Sequence, residues 1–214
     1  QWVDLFSQDA LNYYKKLVEL AIAAGADDIQ LDYIRFPSDG DVSNIIAKHN
    51  KLKQKRYKAV DNYLKEIVKI TDKKNISFSA DIFGIVLWDN PQTNSIIGQY
   101  TLTFMRYADV ICPMLYPSHF NPGFDGIAKP GENPYLFMDK GCKKFTNSNT
   151  KDQYYVKVVP WIQAFNYMSP NFNEKYIQDQ IRACLDNKMD GIFAWNAGND
   201  YTVFFNSLKS GILE

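Results

Sequence analysis

Two aspartates stand where aspartates are expensive. Asp32 lies in Asp28-Ile29-Gln30-Leu31-Asp32-Tyr33-Ile34-Arg35-Phe36-Pro37, and Asp81 in Ser77-Phe78-Ser79-Ala80-Asp81-Ile82-Phe83-Gly84. Both are runs of strand formers, and a carboxylate inside such a run costs desolvation energy unless it is paired or used. The two-residue period of a strand puts Gln30 and Asp32 on one face and Ser77, Ser79 and Asp81 on one face. Arg35 is the nearby cation, although its odd spacing from Asp32 places it on the opposite face of an ideal strand. Two carboxylates at neighbouring strand ends are the minimum for hydrolysing a glycosidic bond, one giving a proton while the other stays ionised. The apolar company of Asp81 (Phe78, Ala80, Ile82, Phe83, Trp88) makes it the expected acid, and the polar company of Asp32 makes that residue the expected ionised partner. The structural alternative for Asp32 is a strand-end cap on the following loop.

Further polar and aromatic residues gather at the ends of the other strand-like runs. Asp89, in Leu87-Trp88-Asp89-Asn90-Pro91, is either a rim residue or a turn former. Tyr116 ends one run and His119 follows it, a candidate hydrogen-bonding group for a substrate. Trp161 with Gln163, and Trp195 with Asn196, Asn199 and Tyr201, are the residue types that stack on sugar faces and bond hydroxyls. Core packing is the alternative for each tryptophan. No Ser-His-Asp order, His-x-His or His-Glu-x-x-His spacing occurs, and no G-x-G-x-x-G or Walker turn, so no cofactor is expected. No metal cluster is expected either, although Asp39–Asp41 could hold calcium weakly. Cys112, Cys142 and Cys184 are scattered and odd in number, which suits buried small side chains better than disulfides.

The elements that must position these residues alternate. Apolar periodicity predicts helices over Ala10–Ala24, closed by Gly25, and over Ile45–Asp72, Asn94–Tyr107, Pro134–Phe145, Asn173–Lys188 and Asn199–Lys209. Strands are predicted over Asp28–Phe36, Ile76–Val86, Asp109–Tyr116, Tyr154–Phe165 and Gly191–Asn196. Five strands, each followed by a helix and with no linker between them, imply a single α/β domain with a parallel sheet. It is either doubly wound or of the (β/α)8 type, and the missing phosphate turn disfavours the first.

Composition agrees with a globular chain. The 214 residues are 46% hydrophobic, 15% aromatic and 22% charged, which excludes disorder. With 24 basic and 24 acidic side chains the net charge is zero, so neither nucleic acid nor an anionic membrane surface is an expected partner. No apolar run reaches the roughly 18–20 residues of a membrane span. The chain opens at Gln1 with no signal peptide ahead of it, as a secreted protein after cleavage or an excised domain would, hence an expected extracellular or cell-envelope location.

Five blocks carry a resemblance: Gly25–Pro37, Ser79–Gly84, Asp109–Phe120, Pro160–Phe165 and Gly191–Ala197. In that order they resemble a bacterial family of glycoside-hydrolase-type (β/α)8 barrels, matched over its fourth to eighth strands, with Trp2-Val3-Asp4 similar to the end of the third unit. The resemblance implies a TIM-type barrel represented by its C-terminal five β/α units, with the strand ends on one rim. It also implies a carbohydrate substrate. The exposed edge at Asp28–Phe36 would then be covered by an N-terminal segment or a second chain. Asp32 falls where alpha-amylase-type enzymes carry their nucleophile, and Asp81 where they carry the acid/base. The stretch is also similar to the chitinase pattern Asp-Gly-x-Asp-x-Asp-x-Glu, but Gln30 replaces an Asp and Ile34 replaces the Glu. Two functions are therefore expected in order: a glycosidase using Asp32 and Asp81, with Gln30, Arg35, Asp89, Tyr116, His119, Trp161, Gln163, Trp195, Asn196 and Asn199 binding the substrate, or a non-catalytic carbohydrate-binding barrel.

Overall fold

The computed structural model describes residues 2–151 and 154–209. Residues 1–111 and 154–156 form one compact unit, and 112–153 with 157–214 form another. The elements are α1 (Gln8–Ala23), β1 (Asp28–Leu31), α2 (Arg56–Lys74), β2 (Ser77–Phe83), α3 (Pro91–Ile97), α4 (Thr101–Met105), β3 (Val110–Leu115), α5 (Pro134–Lys151), β4 (Lys157–Val158), β5 (Trp161–Gln163), α6 (Glu174–Asp186), β6 (Phe193–Trp195) and α7 (Thr202–Leu208). Apart from the two-residue β4, five strands are each followed by helix. The α/β class and the parallel pairing are as the sequence predicts.

In the first unit β1 pairs parallel with β2, Gln30 opposite Ser79 and Leu31 opposite Ala80. In the second, β3 pairs with β5 and β5 with β6, Met114 opposite Trp161 and Trp161 opposite Phe193. Within each unit successive paired strands follow chain order, the TIM-type topology rather than the reversal of a doubly wound sheet. Aspartates at the strand starts set the register. Asp109 N–H donates to Phe78 O (2.8 Å) while its Oδ2 accepts from Phe78 N–H (2.9 Å). Asp190 repeats the device on Val158, with bonds of 2.9 and 2.8 Å. Each two-point clamp ties one chain segment to its neighbour at a fixed residue, so neither can slip.

Burial follows the periodicities. In α1, Ser7 caps the first turn by accepting from Ala10 N–H, and Gly25 (φ +101°) closes the helix. Along α2 the buried row is Val60, Tyr63, Leu64 and Ile67, and this helix packs on β2, whose Phe78, Ala80 and Ile82 are buried. Each such large side chain contributes about 1.5–3 kcal/mol relative to exposure. In the second unit α5 and α6 pack together, with Phe137, Met138, Phe145, Ile177 and Ile181 buried. Cys112, Cys142 and Cys184 are buried and form no disulfide.

Four elements differ from expectation. The first strand stops at Leu31, because Tyr33 adopts a left-handed backbone (φ +55°) that no strand can hold. The helix expected from Ile45 starts only at Arg56, after turns that include the left-handed Lys53. The helix expected over Asn94–Tyr107 is cut into α3 and α4 at Gly98, and the strand expected over Tyr154–Phe165 is cut at Val159-Pro160. Gly98 has φ +76°, and a Cβ there would lie 3.1 Å from Phe36 Cδ2 and 3.2 Å from Arg56 C.

Two stability measurements check these points. Gly98→Ala must adopt a left-handed backbone in a crowded position, and should lower the unfolding free energy by roughly 1–3 kcal/mol in urea titration. Asp109→Ala leaves Phe78 N–H without its acceptor and should cost about 1–3 kcal/mol in the same titration.

Candidate active site

The first unit holds Gln30, Asp32, Arg35, Asp81 and Asp89. Asp81 sits in β2 at 4% exposure, and Gln30 Nε2 on β1 donates to its Oδ1 at 2.6 Å. One step earlier along both strands, Ser79 Oγ donates to Asp28 Oδ2. The polar faces of β1 and β2 thus meet, as the period-two reading predicts. Asp32 is the first residue beyond β1, and continuing the register that sets Leu31 against Ala80 puts it level with Asp81, which is followed in β2 by Ile82 and Phe83.

Asp32 keeps one side open to solvent, and its Oδ1 accepts from Tyr33 N–H at 2.6 Å. Desolvation nevertheless pushes its carboxyl above the ordinary value, outweighing that hydrogen bond and the Arg35 charge. The sequence expectation makes Asp32 the ionised partner and Asp81 the acid; burial acts against the ionised form of Asp32. The opposite-face argument for Arg35 lapses as well, since the chain leaves the strand before reaching it. Arg35 is 3% exposed and stacked, its Cζ 3.8 Å from the Phe83 ring centroid, 4.7 Å from Trp2 and 5.1 Å from Tyr33. Its Nη1 donates to Phe36 O (3.0 Å) and to Ser38 Oγ (3.4 Å).

A residue that the sequence reading passed over holds these strand ends. Gln99, buried between α3 and α4, accepts from Phe83 N–H at 2.9 Å and donates to Ile34 O and Asp81 O, both at 3.3 Å. One amide therefore ties the segment after Asp32 to the backbone of Asp81. The available signal was the Gly98 break, which leaves a polar residue between two short apolar helices. Asp89 behaves as the turn former: its backbone is left-handed (φ +49°), and its Oδ1 accepts from Asn94 Nδ2 at 3.4 Å.

The second unit holds the aromatic and amide residues, in two groups. Tyr116 and His119 pack with Phe165 and Tyr167: His119 lies 5.3 Å from Tyr116, 5.7 Å from Phe165 and 6.0 Å from Tyr167, ring to ring. Desolvation lowers the His119 pKa, which favours a neutral imidazole able both to donate and to accept. Trp161 stacks on Phe193 (4.7 Å) and stands edge-on to Trp195 (6.1 Å, 90°), and Trp195 is 44% exposed. Because Phe193 and Trp195 alternate on one face of β6, the group presents an open aromatic platform.

The amides of this unit serve the protein itself. Gln163 is fully buried: it accepts from Ser118 N–H (3.1 Å) and donates to Phe165 O (3.0 Å), Tyr167 O (3.2 Å) and Ser169 Oγ (3.3 Å). It carries the loop beneath the His119 cluster rather than offering hydrogen bonds outward. Asn196 donates to Ala164 O and Asp200 O, both at 2.7 Å, and accepts from Gly198 N–H at 2.8 Å. Asn199 is the left-handed residue (φ +55°) of the same turn. Among the described residues no group of three or more His, Cys, Asp or Glu side chains could hold a metal, and no helix is long and apolar enough to cross a membrane.

Comparison with curated proteins gives no match. Among solved structures the chain is similar to bee venom hyaluronidase, at 16% identity and a TM-score of 0.44, over 97% of this chain and 64% of that one. It is likewise similar to bee venom hyaluronidase in complex with a hyaluronic acid tetramer, at 14% identity and a TM-score of 0.45, over 97% and 62%. The chain thus spans less than two thirds of the length of these structures. A family model described as "Putative glycosyl hydrolase domain" matches residues 1–201. That match covers nearly the whole sequence, from the residues before α1 to the turn before α7, and the chain belongs to this glycosyl hydrolase family.

Proposed function

We propose that the chain contributes the catalytic carboxylates of a glycoside hydrolase acting on an oligosaccharide or polysaccharide, with Asp32 and Asp81 as the pair. The observation that supports this reading is the β1–β2 register with the Gln30–Asp81 bond, which sets Asp32 and Asp81 level on neighbouring strands of one unit. Membership of a glycosyl hydrolase family supports the reaction class.

The roles follow from the surroundings of each group. Asp32, whose carboxyl is raised by desolvation and which reaches solvent, is the proton donor to the leaving-group oxygen. Asp81, held by an amide donor, is the carboxylate that faces the positive charge developing at the anomeric carbon. This reverses the assignment expected from the flanking residues alone. In the second unit, Tyr116, His119, Trp161 and Trp195 are of the types that bind sugars by stacking and hydrogen bonding.

An aryl glycoside with an activated leaving group separates the roles, because its departure needs little protonation. Asp32→Asn should keep much of its activity on that substrate while losing about 10²–10⁴-fold on an unactivated one, and Asp81→Asn should be nearly inactive on both. The opposite pattern would exchange the two assignments. Full activity in both variants, or sugar binding without hydrolysis in the parent chain, would leave the carbohydrate-binding reading instead.

A further inference from the structure

The three cysteines are scattered in the sequence, yet two of them meet in the second unit. Cys142 belongs to α5 and Cys184 to α6, two helices that pack on each other. Met138, Cys142 and Phe145 are buried at helical spacing along α5, and Ile177, Ile181 and Cys184 along α6. Each cysteine therefore stands in the apolar stripe by which its helix packs.

Polar contacts fix where the two stripes meet. Asn187 Nδ2 donates to Asp139 Oδ1 at 2.9 Å, joining the end of α6 to α5. Tyr135 Oη, in the first turn of α5, donates to Asp186 Oδ2 at 2.7 Å. Cys142 lies three residues after Asp139, and Cys184 three residues before Asn187, so each is one turn from the Asn187–Asp139 bond. The two thiols are in contact through a hydrogen bond. That contact, and burial after it, push the Cys184 thiol upward, which keeps it protonated and unreactive while the helices stay packed. Cys112 lies apart from both helices, in β3.

We propose that Cys142 and Cys184 are a redox pair that closes to a disulfide between α5 and α6 when a low-molecular-weight disulfide is the oxidant. One protein thiolate attacks oxidised glutathione and releases a glutathione thiolate, and the second protein thiolate then displaces the other glutathione. The pair loses two electrons and two protons, and both appear in two molecules of glutathione thiol. Exchange proceeds while the helices are transiently open, and repacking then shields the bond. Because α5 also touches the turn that carries His119 and α6 packs on β5, the bond would brace both elements. Disulfides that close long segments, as 142–184 is, stabilise most.

The test equilibrates the whole chain with oxidised and reduced glutathione in urea below the unfolding transition, and in parallel with dithiothreitol. Both samples are then denatured, labelled with N-ethylmaleimide and weighed by mass spectrometry. Dithiothreitol should leave all three cysteines labelled. Glutathione should leave only Cys112 labelled, and non-reducing digestion should release peptides joined through Cys142 and Cys184. The joined form should melt roughly 5–15 °C higher than the dithiol form. Cys142→Ala should melt at one temperature in both buffers, and if that variant does not fold, the labels and joined peptides of the parent chain decide. Three labelled cysteines after glutathione, a bond that includes Cys112, or glutathione retained on either helix would overturn the proposal. A joined form that melts no higher than the dithiol would overturn it too.

Discussion

Parallel strand register is the constraint on which the rest of this structure depends. Side chains alternate between the faces of a strand, so a slip of one residue between β1 and β2 would turn Gln30 away from Asp81 and leave a buried carboxylate without its amide donor. Removing a partner from a buried charge costs several kcal/mol, far more than the bond contributes when made. The chain holds register by local, polar means. Asp109 clamps Phe78 and Asp190 clamps Val158 at the strand starts, and Gln99 holds Ile34, Asp81 and Phe83 at the strand ends. The aspartates at the strand starts, Asp109 and Asp190, are structural.

Such structural use decides which polar residues remain available. Gln163 and Asn196 have the composition of sugar-binding residues, yet their amides are taken up by backbone carbonyls and N–H groups of the loops around them. Those loops shape the surroundings of His119 and Trp195, which are left exposed. The amides organise, and the rings are presented. Arg35 is a buried cation stacked among the rings of Trp2, Tyr33 and Phe83, with Asp39 and Asp32 near enough to act on its charge.

Much of the fold was legible because its signals are periodic. The alternation of Ser77, Ser79 and Asp81 against Phe78, Ala80 and Ile82 identified β2 and its polar face, and the apolar row of α2 identified its buried side. The breaks were less legible, since they depend on single backbone conformations: Tyr33 at φ +55° ends β1 inside a run of strand formers. Glycine at 98 was a visible breaker, but only the proximity of Phe36 and Arg56 shows why the chain must turn there. In the sequence, strand position marks Asp32 and Asp81 as candidates. The flanking residues do not display the burial that raises the Asp32 carboxyl. Gln99 escaped notice because its importance lies in partners that sequence does not display.

The central proposal is that Asp32 and Asp81, level on neighbouring strands, serve as the catalytic pair, with burial raising the Asp32 carboxyl so that it can give the proton. Carbon-13 NMR titration of aspartate side-chain carboxyls, with Asp32→Asn assigning the signal, measures this directly. The account predicts a midpoint for Asp32 above the ordinary value of 3.8. A midpoint at or below that value would contradict it, and would return the proton-donor role to Asp81.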